Sequence, residues 1–287
     1  MLNLANCMKK VKEVKPLIHN ITNYVTANEC ANVLLACGAS PIMADDSGEV
    51  EDITSLCSGL NINMGTLNNR TISSMLLAGK RANKLKHPVL LDPVGVGASS
   101  LRNETAKVLL ENIKFTVIRG NLSEIKMIAS LNENKGKKEE GLNANSRGVD
   151  SAEKLDLNNL AEIALLAKET ANKLGSIIAI SGITDIITDG KRCFYVKNGH
   201  QMMAKITGSG CMLSALITAF ISANKKEPLE ATVAASCLLG VAGERAFFKM
   251  KELNTGNSSY CNYLIDEVFK LVPGSFANFA KAKEVEL

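Results

Sequence analysis

The chain has 287 residues, of which 46% are hydrophobic and 22% charged, so it has the composition of a folded globular protein and enough length for one continuous core. We expect a single domain spanning residues 1–287. The formal net charge of +4 comes from 33 basic and 29 acidic side chains, with no basic run between aromatics and no Trp to stack on bases, which argues against a nucleic-acid partner.

Short apolar segments alternate with longer segments of helical periodicity over the first two thirds of the chain. Runs rich in Val, Ile and Leu, bounded by Gly, Pro or Asp, predict parallel strands, and the segments between them predict crossover helices. The predicted strands are residues 41–44, 60–64, 88–92, 115–119 and 177–181. The predicted helices are residues 66–85, 99–113 and 157–174. This alternation is typical of an α/β fold.

The pattern changes near Asp189-Gly190, where a turn predicts a hairpin between strands 185–187 and 192–196 and hence an antiparallel addition at the sheet edge. From residue 209 the chain reads as helical almost to its end. The predicted helices there are residues 209–223, 228–251 and 260–271, covering one side of the sheet. The polar segment 131–147 has no periodicity and predicts an exposed, mobile loop.

The cysteines and histidines exclude several kinds of site. Eight cysteines form no C-x-x-C pair or zinc-like spacing, and no secretory signature precedes them, so we expect reduced thiols in the cytoplasm. Three histidines leave little material for a zinc site or a Ser-His-Asp triad. The longest apolar stretch, residues 212–223, is about half of the ~20 residues that span a bilayer, so we expect no membrane partner.

A glycine-rich turn, Gly208-Ser209-Gly210-Cys211, opens the first of the later helices. Unpaired backbone N–H groups at a helix start favour negative charge, so the turn can hold a phosphate or an oxyanion. The alternative is a tight turn that only lets the helix pack closely. A thiol at a helix N-terminus ionises more easily than usual, so Cys211 is expected to act as a base or a polar guide.

Charged residues end two neighbouring predicted strands. Asp92 ends one strand, and Arg119 ends the next, with Glu124 opening the following helix. Because the carboxyl ends of parallel strands hold ligands, two carboxylates and an arginine there suit Mg²⁺ and phosphate chemistry. The purely structural interpretations are a strand-end turn carboxylate for Asp92 and a favourable first-turn helix charge for Glu124.

Taken in order, several segments resemble the hydroxyethylthiazole kinase family of the ribokinase-like superfamily. They extend from about residue 16 to residue 276. The matching segments are His19-Asn20-Ile21-Thr22-Asn23, Gly38-Ala39-Ser40-Pro41-Ile42-Met43, Asn63-Met64-Gly65-Thr66, Asp92-Pro93-Val94-Gly95-Val96-Gly97-Ala98, Arg119-Gly120-Asn121, Ser123-Glu124-Ile125, Gly148-Val149-Asp150-Ser151, Thr188-Asp189-Gly190 and Gly208-Ser209-Gly210-Cys211.

The resemblance implies a three-layer α/β/α fold with a mostly parallel central sheet and helices on both faces. It further implies transfer of the γ-phosphoryl group of ATP, with Mg²⁺, to the hydroxyl of 5-(2-hydroxyethyl)-4-methylthiazole in thiamine diphosphate biosynthesis. Family members form homotrimers with active sites between subunits. The implied site residues are Cys211 for catalysis, Met43, Gly208, Asn20 and Asn23 for the thiazole, Arg119, Ser181 and Gly210 for ATP, and Asp92 and Glu124 for the metal.

The chain departs from the family pattern at a few positions. Ser181 and Ser209 stand where threonine is usual, which keeps the hydroxyl, and Leu122 replaces a usual alanine. Related sugar kinases have an aspartate where Cys211 stands. The NAD(P)H-hydrate dehydratases of a similar fold usually have an aspartate there too, so Cys211 counts against that class of enzyme. Two further functions compete with the thiazole kinase: another ribokinase-like vitamin kinase, such as a hydroxymethylpyrimidine kinase, and a non-catalytic protein that binds thiazole or nucleotide.

Overall fold

The computed structural model describes residues 2–133 and 159–286. Within this part, nine strands form one sheet in the order β2-β1-β3-β4-β5-β6-β7-β8-β9. The strands are β1 Leu17–Ile21, β2 Ser40–Met43, β3 Gly59–Asn63, β4 Val89–Asp92, β5 Val117–Asn121, β6 Ile177–Ser181, β7 Asp185–Thr188, β8 Cys193–Val196 and β9 Ala282–Val285.

Eleven α-helices surround the sheet in the described part of the chain. Those of the first half are α1 Leu4–Val14, α2 Ala27–Cys37, α3 Val50–Leu56, α4 Asn69–Lys84, α5 Ser100–Asn112 and α6 Leu122–Glu133. Those of the second half are α7 Leu160–Leu174, α8 Ser209–Ala223, α9 Pro228–Glu252, α10 Asn257–Lys270 and α11 Pro273–Phe279, with a short 3₁₀-helix Gln201–Lys205 before α8.

The helices form a layer on each face of the sheet. One hydrophobic core contains α1, α2 and α8–α11, and the other contains α3–α7. The strands from β2 to β6 pair in parallel, and β7, β8 and β9 add in antiparallel orientation. The three-layer α/β/α architecture with a mostly parallel sheet is therefore confirmed.

The parallel register brings side chains from different strands to the same carboxyl edge. Asn63 at the end of β3 pairs with Asp92 at the end of β4. Asn121 at the end of β5 pairs with Ser181 at the end of β6. The α8 helix begins above this edge, so the polar strand ends and the glycine-rich turn lie together.

Two strands are absent from the sequence prediction. The segment containing His19 and Asn20 is not only a polar lead into a helix, because it forms β1 in the interior of the sheet, between β2 and β3. The last strand, β9, follows the final helix and pairs with β8. Of the predicted loop 131–147, residues 131–133 continue α6, and the rest lies outside the described residues, as do residues 148–151 and 157–158.

His19 is buried between β1 and the neighbouring elements. Its Nε2 lies 2.9 Å from the carbonyl oxygen of Ala44, and its Nδ1 lies 2.9 Å from Oγ1 of Thr54. Because a carbonyl can only accept, Nε2 carries the proton and Nδ1 accepts from the threonine. Burial lowers the pKa of His19, so the ring is neutral and holds the segment that follows β2.

Helix α9 is long and apolar enough, by length and composition alone, to cross a bilayer. It is longer than the stretch 212–223, which was predicted to be the longest apolar segment. However, 78% of its most apolar window is buried inside the protein. Its apolar character is therefore explained by its place in the core.

Candidate active site

Asp92 ends β4 and is completely buried. Its Oδ2 accepts hydrogen bonds from Nδ2 of Asn63 at 2.9 Å and from Oγ of Ser214 at 2.7 Å, and Nη1 of Arg119 lies 3.7 Å away. Its Oδ1 has no hydrogen-bond partner among the described residues. Burial raises the pKa of Asp92 to about 6, and the carboxylate of Glu124 contributes to the rise, against the lowering effect of Arg119.

Glu124 lies in the first turn of α6, and its carboxylate holds two backbone segments beside the site. Its Oε1 accepts from the N–H of Gly95 at 2.9 Å, and its Oε2 accepts from the N–H of Asn121 at 2.8 Å. Its own N–H donates to Oδ1 of Asn121 at 2.9 Å. The helix-start role considered in the sequence analysis is therefore real, and the same carboxylate also holds the loop after β4.

Arg102 on α5 joins the loops that follow β3 and β4. Its Nη1 donates to the carbonyl oxygens of Met64 and Val94, and its Nη2 donates to that of Gly65 at 2.6 Å. Gly95 adopts a φ of +73° beside this guanidinium. The two loops that border Asp92 and Asn63 are thus fixed to each other by one side chain.

The first turn of α8 lies directly against Arg119. A Cβ atom on Gly210 would lie 2.6 Å from Nη1 and 2.9 Å from Nη2 of Arg119, so only glycine allows this approach. Nη2 of Arg119 also donates to Oγ of Ser181, whose hydroxyl donates to the carbonyl of Gly120. A guanidinium beneath the N–H groups of a helix start forms a strong binding site for an anion.

Gly208 caps α8 with a φ of +85°, where a Cβ atom would lie 2.6 Å from Cγ2 of Thr26. The glycine therefore serves the close packing of the turn as well as the conformation of the helix start. The packing interpretation of the glycine-rich turn is therefore confirmed, and the same contact brings the helix start to the strand ends, where the phosphate site stays a prediction.

Cys211 is half-buried in the first turn of α8. Its Sγ accepts from Nδ2 of Asn23 at 3.3 Å and from Nδ2 of Asn63 at 3.2 Å. Burial raises the pKa of the thiol, and the negative charge of Asp92 raises it further. The expectation of an easily ionised thiol is therefore wrong, because desolvation and a neighbouring carboxylate outweigh the hydrogen bonds and the charge of Arg119.

Three of the four predicted thiazole-side residues border the turn or the sheet edge. Asn23 donates to Oδ1 of Asn63 at 3.0 Å as well as to Cys211, and Gly208 lies at the helix start. Met43 ends edge strand β2 and is 39% exposed. Asn20 is buried within β1, where its Nδ2 donates to the carbonyl of Ile18 and its Oδ1 accepts from Asn61.

Two residues that contact the carboxylate have no role in the sequence prediction. Asn63 lies in a matching segment and ends a buried strand, a position where an amide is unusual and therefore informative. Ser214 follows Cys211 by three residues on α8, so both side chains lie on the same helical face. Both contact Asp92 or Cys211 directly.

The layered sheet with a buried carboxylate beneath a glycine-rich helix start is the ribokinase-like fold, which small-molecule kinases share. The pyridoxal kinase from Staphylococcus aureus in complex with pyridoxal shares this fold, with a TM-score of 0.57 and 16% identity over 95% of this chain and 99% of that chain.

The particular family follows from closer comparisons. Residues 8–274 match the hydroxyethylthiazole kinase family, and the chain belongs to that family. It is 57% identical to the hydroxyethylthiazole kinase of Clostridium acetobutylicum over 93% of this chain and 94% of the relative. It is 33% identical to the solved hydroxyethylthiazole kinase of Pyrococcus horikoshii, with a TM-score of 0.85 and complete coverage of both chains.

Proposed function

We propose that the protein transfers the γ-phosphoryl group of ATP to the hydroxyl of 5-(2-hydroxyethyl)-4-methylthiazole, as a step of thiamine diphosphate biosynthesis or salvage. The observation that carries the proposal is the contact of Arg119 with Gly210, beside the buried carboxylate of Asp92. This arrangement suits a polyphosphate, and the family membership supports the thiazole alcohol as acceptor.

The residues around the helix start act on the phosphates. In phosphoryl transfer, the transition state is loose, and positioning and charge neutralisation contribute more than a strong base. The backbone N–H groups of the first turn of α8 and the guanidinium of Arg119 would stabilise charge on the phosphoryl oxygens. Ser181 accepts a hydrogen bond from Arg119, which would keep the cation in place as charge moves.

The carboxylates fit Mg²⁺ bound together with substrate. No group of three His, Cys, Asp or Glu side chains that could hold a metal exists among the described residues. Mg²⁺ is usually held by one or two carboxylates plus substrate phosphates, and Oδ1 of Asp92 lacks a partner within the described chain. Asp92 and Glu124 would hold the ion, which supplies neutralisation of phosphate charge when bound.

Cys211 meets the substrate hydroxyl in this proposal. Because the pKa of Cys211 is raised, the thiol is protonated at neutral pH and positions the hydroxyl by hydrogen bonding rather than removing its proton at the start. The substrate oxygen then bonds to the γ-phosphorus as the bridging P–O bond to ADP breaks, and the hydroxyl proton passes to an oxygen of the phosphoryl group.

The thiazole would lie among Met43, Asn23 and Gly208, while Asn20 supports the strand from within the sheet. Exposed apolar side chains border this region, with Tyr24 and Val25 being 59% and 61% exposed. They support a subunit interface beside the site, and the resemblance to the family implies that the assembly is a homotrimer in which a neighbouring subunit completes each site. All eight cysteines are free thiols, which supports a cytoplasmic location.

The test is an assay of ADP release with the hydroxyethylthiazole and the hydroxymethylpyrimidine offered separately. We expect turnover of the thiazole and loss of most activity in Asp92→Ala. Turnover of the pyrimidine alone would refute the substrate assignment, and binding of both ligands without turnover would support a non-catalytic protein. The mass from gel filtration tests the trimer independently.

A further inference from the structure

We infer that Asn63 is a positioning residue that joins the carboxylate of Asp92 to the thiol of Cys211 and so sets the distance between the phosphate side and the alcohol side of the site. This inference rests on the proposed kinase function. Asn63 ends β3 and is 1% exposed, so it approaches substrate only through the groups that it holds.

The orientation of the Asn63 amide follows from its partners. Its Oδ1 lies 2.9 Å from the backbone nitrogen of Gly65, and because an N–H can only donate, this atom must be the oxygen. The same oxygen accepts from Nδ2 of Asn23 at 3.0 Å. The Nδ2 atom therefore has two hydrogens to donate, and two acceptors are in reach.

The two acceptors belong to different elements of the site. Nδ2 of Asn63 lies 2.9 Å from Oδ2 of Asp92 on β4 and 3.2 Å from Sγ of Cys211 on α8. Every donor and acceptor direction of the amide is thus used. A residue that only filled space at a strand end would not need two donors aimed at these two groups.

The strand itself contains a natural comparison. Asn61 lies two residues earlier on the same face of β3 and is also completely buried. It donates to Oδ1 of Asn20, and its own oxygen has no partner within the described chain. No hydrogen bond in the described part joins Asn61 to Asp92 or Cys211, so the same substitution at position 61 disturbs the core without breaking the link.

The reaction needs both groups held together. Asp92 lies on the phosphate side and Cys211 on the alcohol side, and a misplacement of about 1 Å between reacting groups can lower a rate by about 100-fold. Because the backbone register already pairs Asn63 with Asp92, the amide transmits the position of β4 to the start of α8. We expect Asn63→Ala to lower kcat by roughly 10- to 100-fold, with less than about a threefold change in KM for ATP.

A double-mutant cycle on single-turnover rates tests the link. The variants are Asn63→Ala, Cys211→Ala and the double variant. The matched control set is Asn61→Ala, made alone and in combination with Cys211→Ala. We expect the effect of Asn63→Ala on the single-turnover rate to shrink to about threefold or less in the Cys211→Ala background, because Asn63 and Cys211 act as a unit. The effect of Asn61→Ala should be the same in both backgrounds.

Equal effects of Asn63→Ala in the two backgrounds would overturn the inference, as would coupling of the same size for Asn61→Ala. If Asn63→Ala does not fold, Asn63→Ser replaces it in the cycle. If Cys211→Ala gives no measurable single turnover, the same cycle is measured on the Kd of the thiazole alcohol, since the contact under test is that between Asn63 and Cys211. Absence of thiazole phosphorylation by the wild type would instead refute the proposed function.

Discussion

Replacement of Gly210 by alanine tests how the helix start and Arg119 work together. The new Cβ would lie 2.6 Å from Nη1, 2.9 Å from Nη2 and 3.1 Å from Cζ of Arg119. The guanidinium has little space to move away, because the Arg119 side chain is only 11% exposed. Its Nη2 is hydrogen-bonded to Ser181, and its Nη1 lies 3.7 Å from Asp92. The substitution should therefore move the cation away from the helix start.

The expected loss can be estimated from one interaction. A hydrogen bond that involves a charged group contributes about 1.5–3 kcal/mol, which corresponds to roughly 10- to 150-fold in a rate or binding constant. We expect kcat/KM for ATP to fall by this amount. Stability should change little, because alanine is favoured over glycine in a helix by up to about 1 kcal/mol, which offsets part of the displacement of Arg119.

The assay is kcat/KM for ATP from ADP release, with thermal unfolding measured on the same preparations. Gly256→Ala and Gly274→Ala are matched controls, since a Cβ at either position would meet nothing within 4 Å. Both should retain wild-type kinetics. Wild-type turnover of ATP by Gly210→Ala would show that Arg119 and the helix start do not bind the phosphates as one unit.

Three further substitutions test the supports of the site. Gly208→Ala places a Cβ atom at a φ of +85° and against the methyl group of Thr26, so the free energy of unfolding in urea should fall by about 1–2 kcal/mol. Adding Thr26→Ser, which removes that methyl group, should restore part of the stability. Because burial lowers the pKa of His19 below 6.5, the unfolded state binds the proton first as pH falls, so the free energy of unfolding should decrease below about pH 6.5. The difference between the urea midpoints of the wild type and His19→Gln across pH 5–8 measures this contribution. Equal pH slopes of the two proteins would contradict it. Arg102→Met removes the cation from three backbone carbonyls and should cost roughly 2–4 kcal/mol in urea unfolding, with Arg102→Lys retaining part of the stability.

The periodic part of the fold was accessible from sequence because the predicted parallel strands are rich in Val, Ile and Leu. All five predicted parallel strands are present, with ends shifted by up to two residues. Strand β1 was missed because His19 and Asn20 interrupt its apolar character. Only the folded protein supplies their buried partners, Ala44, Thr54 and Asn61, so the local pattern could not reveal the strand.

The site was predictable in its strand ends but not in its electrostatics. Asp92, Arg119 and Gly210 do lie together, as expected from the rule that ligands meet the carboxyl ends of parallel strands. The ionisation of Cys211 was predicted in the wrong direction, because the sequence indicates a helix start but not the degree of burial or the approach of Asp92. Asn63 could be recognised as a link only once its two acceptors were both in place.

Burial raises the pKa of the Cys211 thiol, and the neighbouring charge of Asp92 raises it further. A carboxylate at position 211, as the resemblance implies for related sugar kinases, would place a second negative charge near one that is already deprived of water. A neutral thiol avoids that repulsion, and it still accepts hydrogen bonds from Asn23 and Asn63. The negative charge at the strand ends is then left to Asp92 and Glu124, and under the proposed function the alcohol would meet a group that aligns it without adding charge. In a reaction whose transition state depends on neutralising phosphate charge, fewer fixed negative groups beside the phosphoryl oxygens favour the transfer.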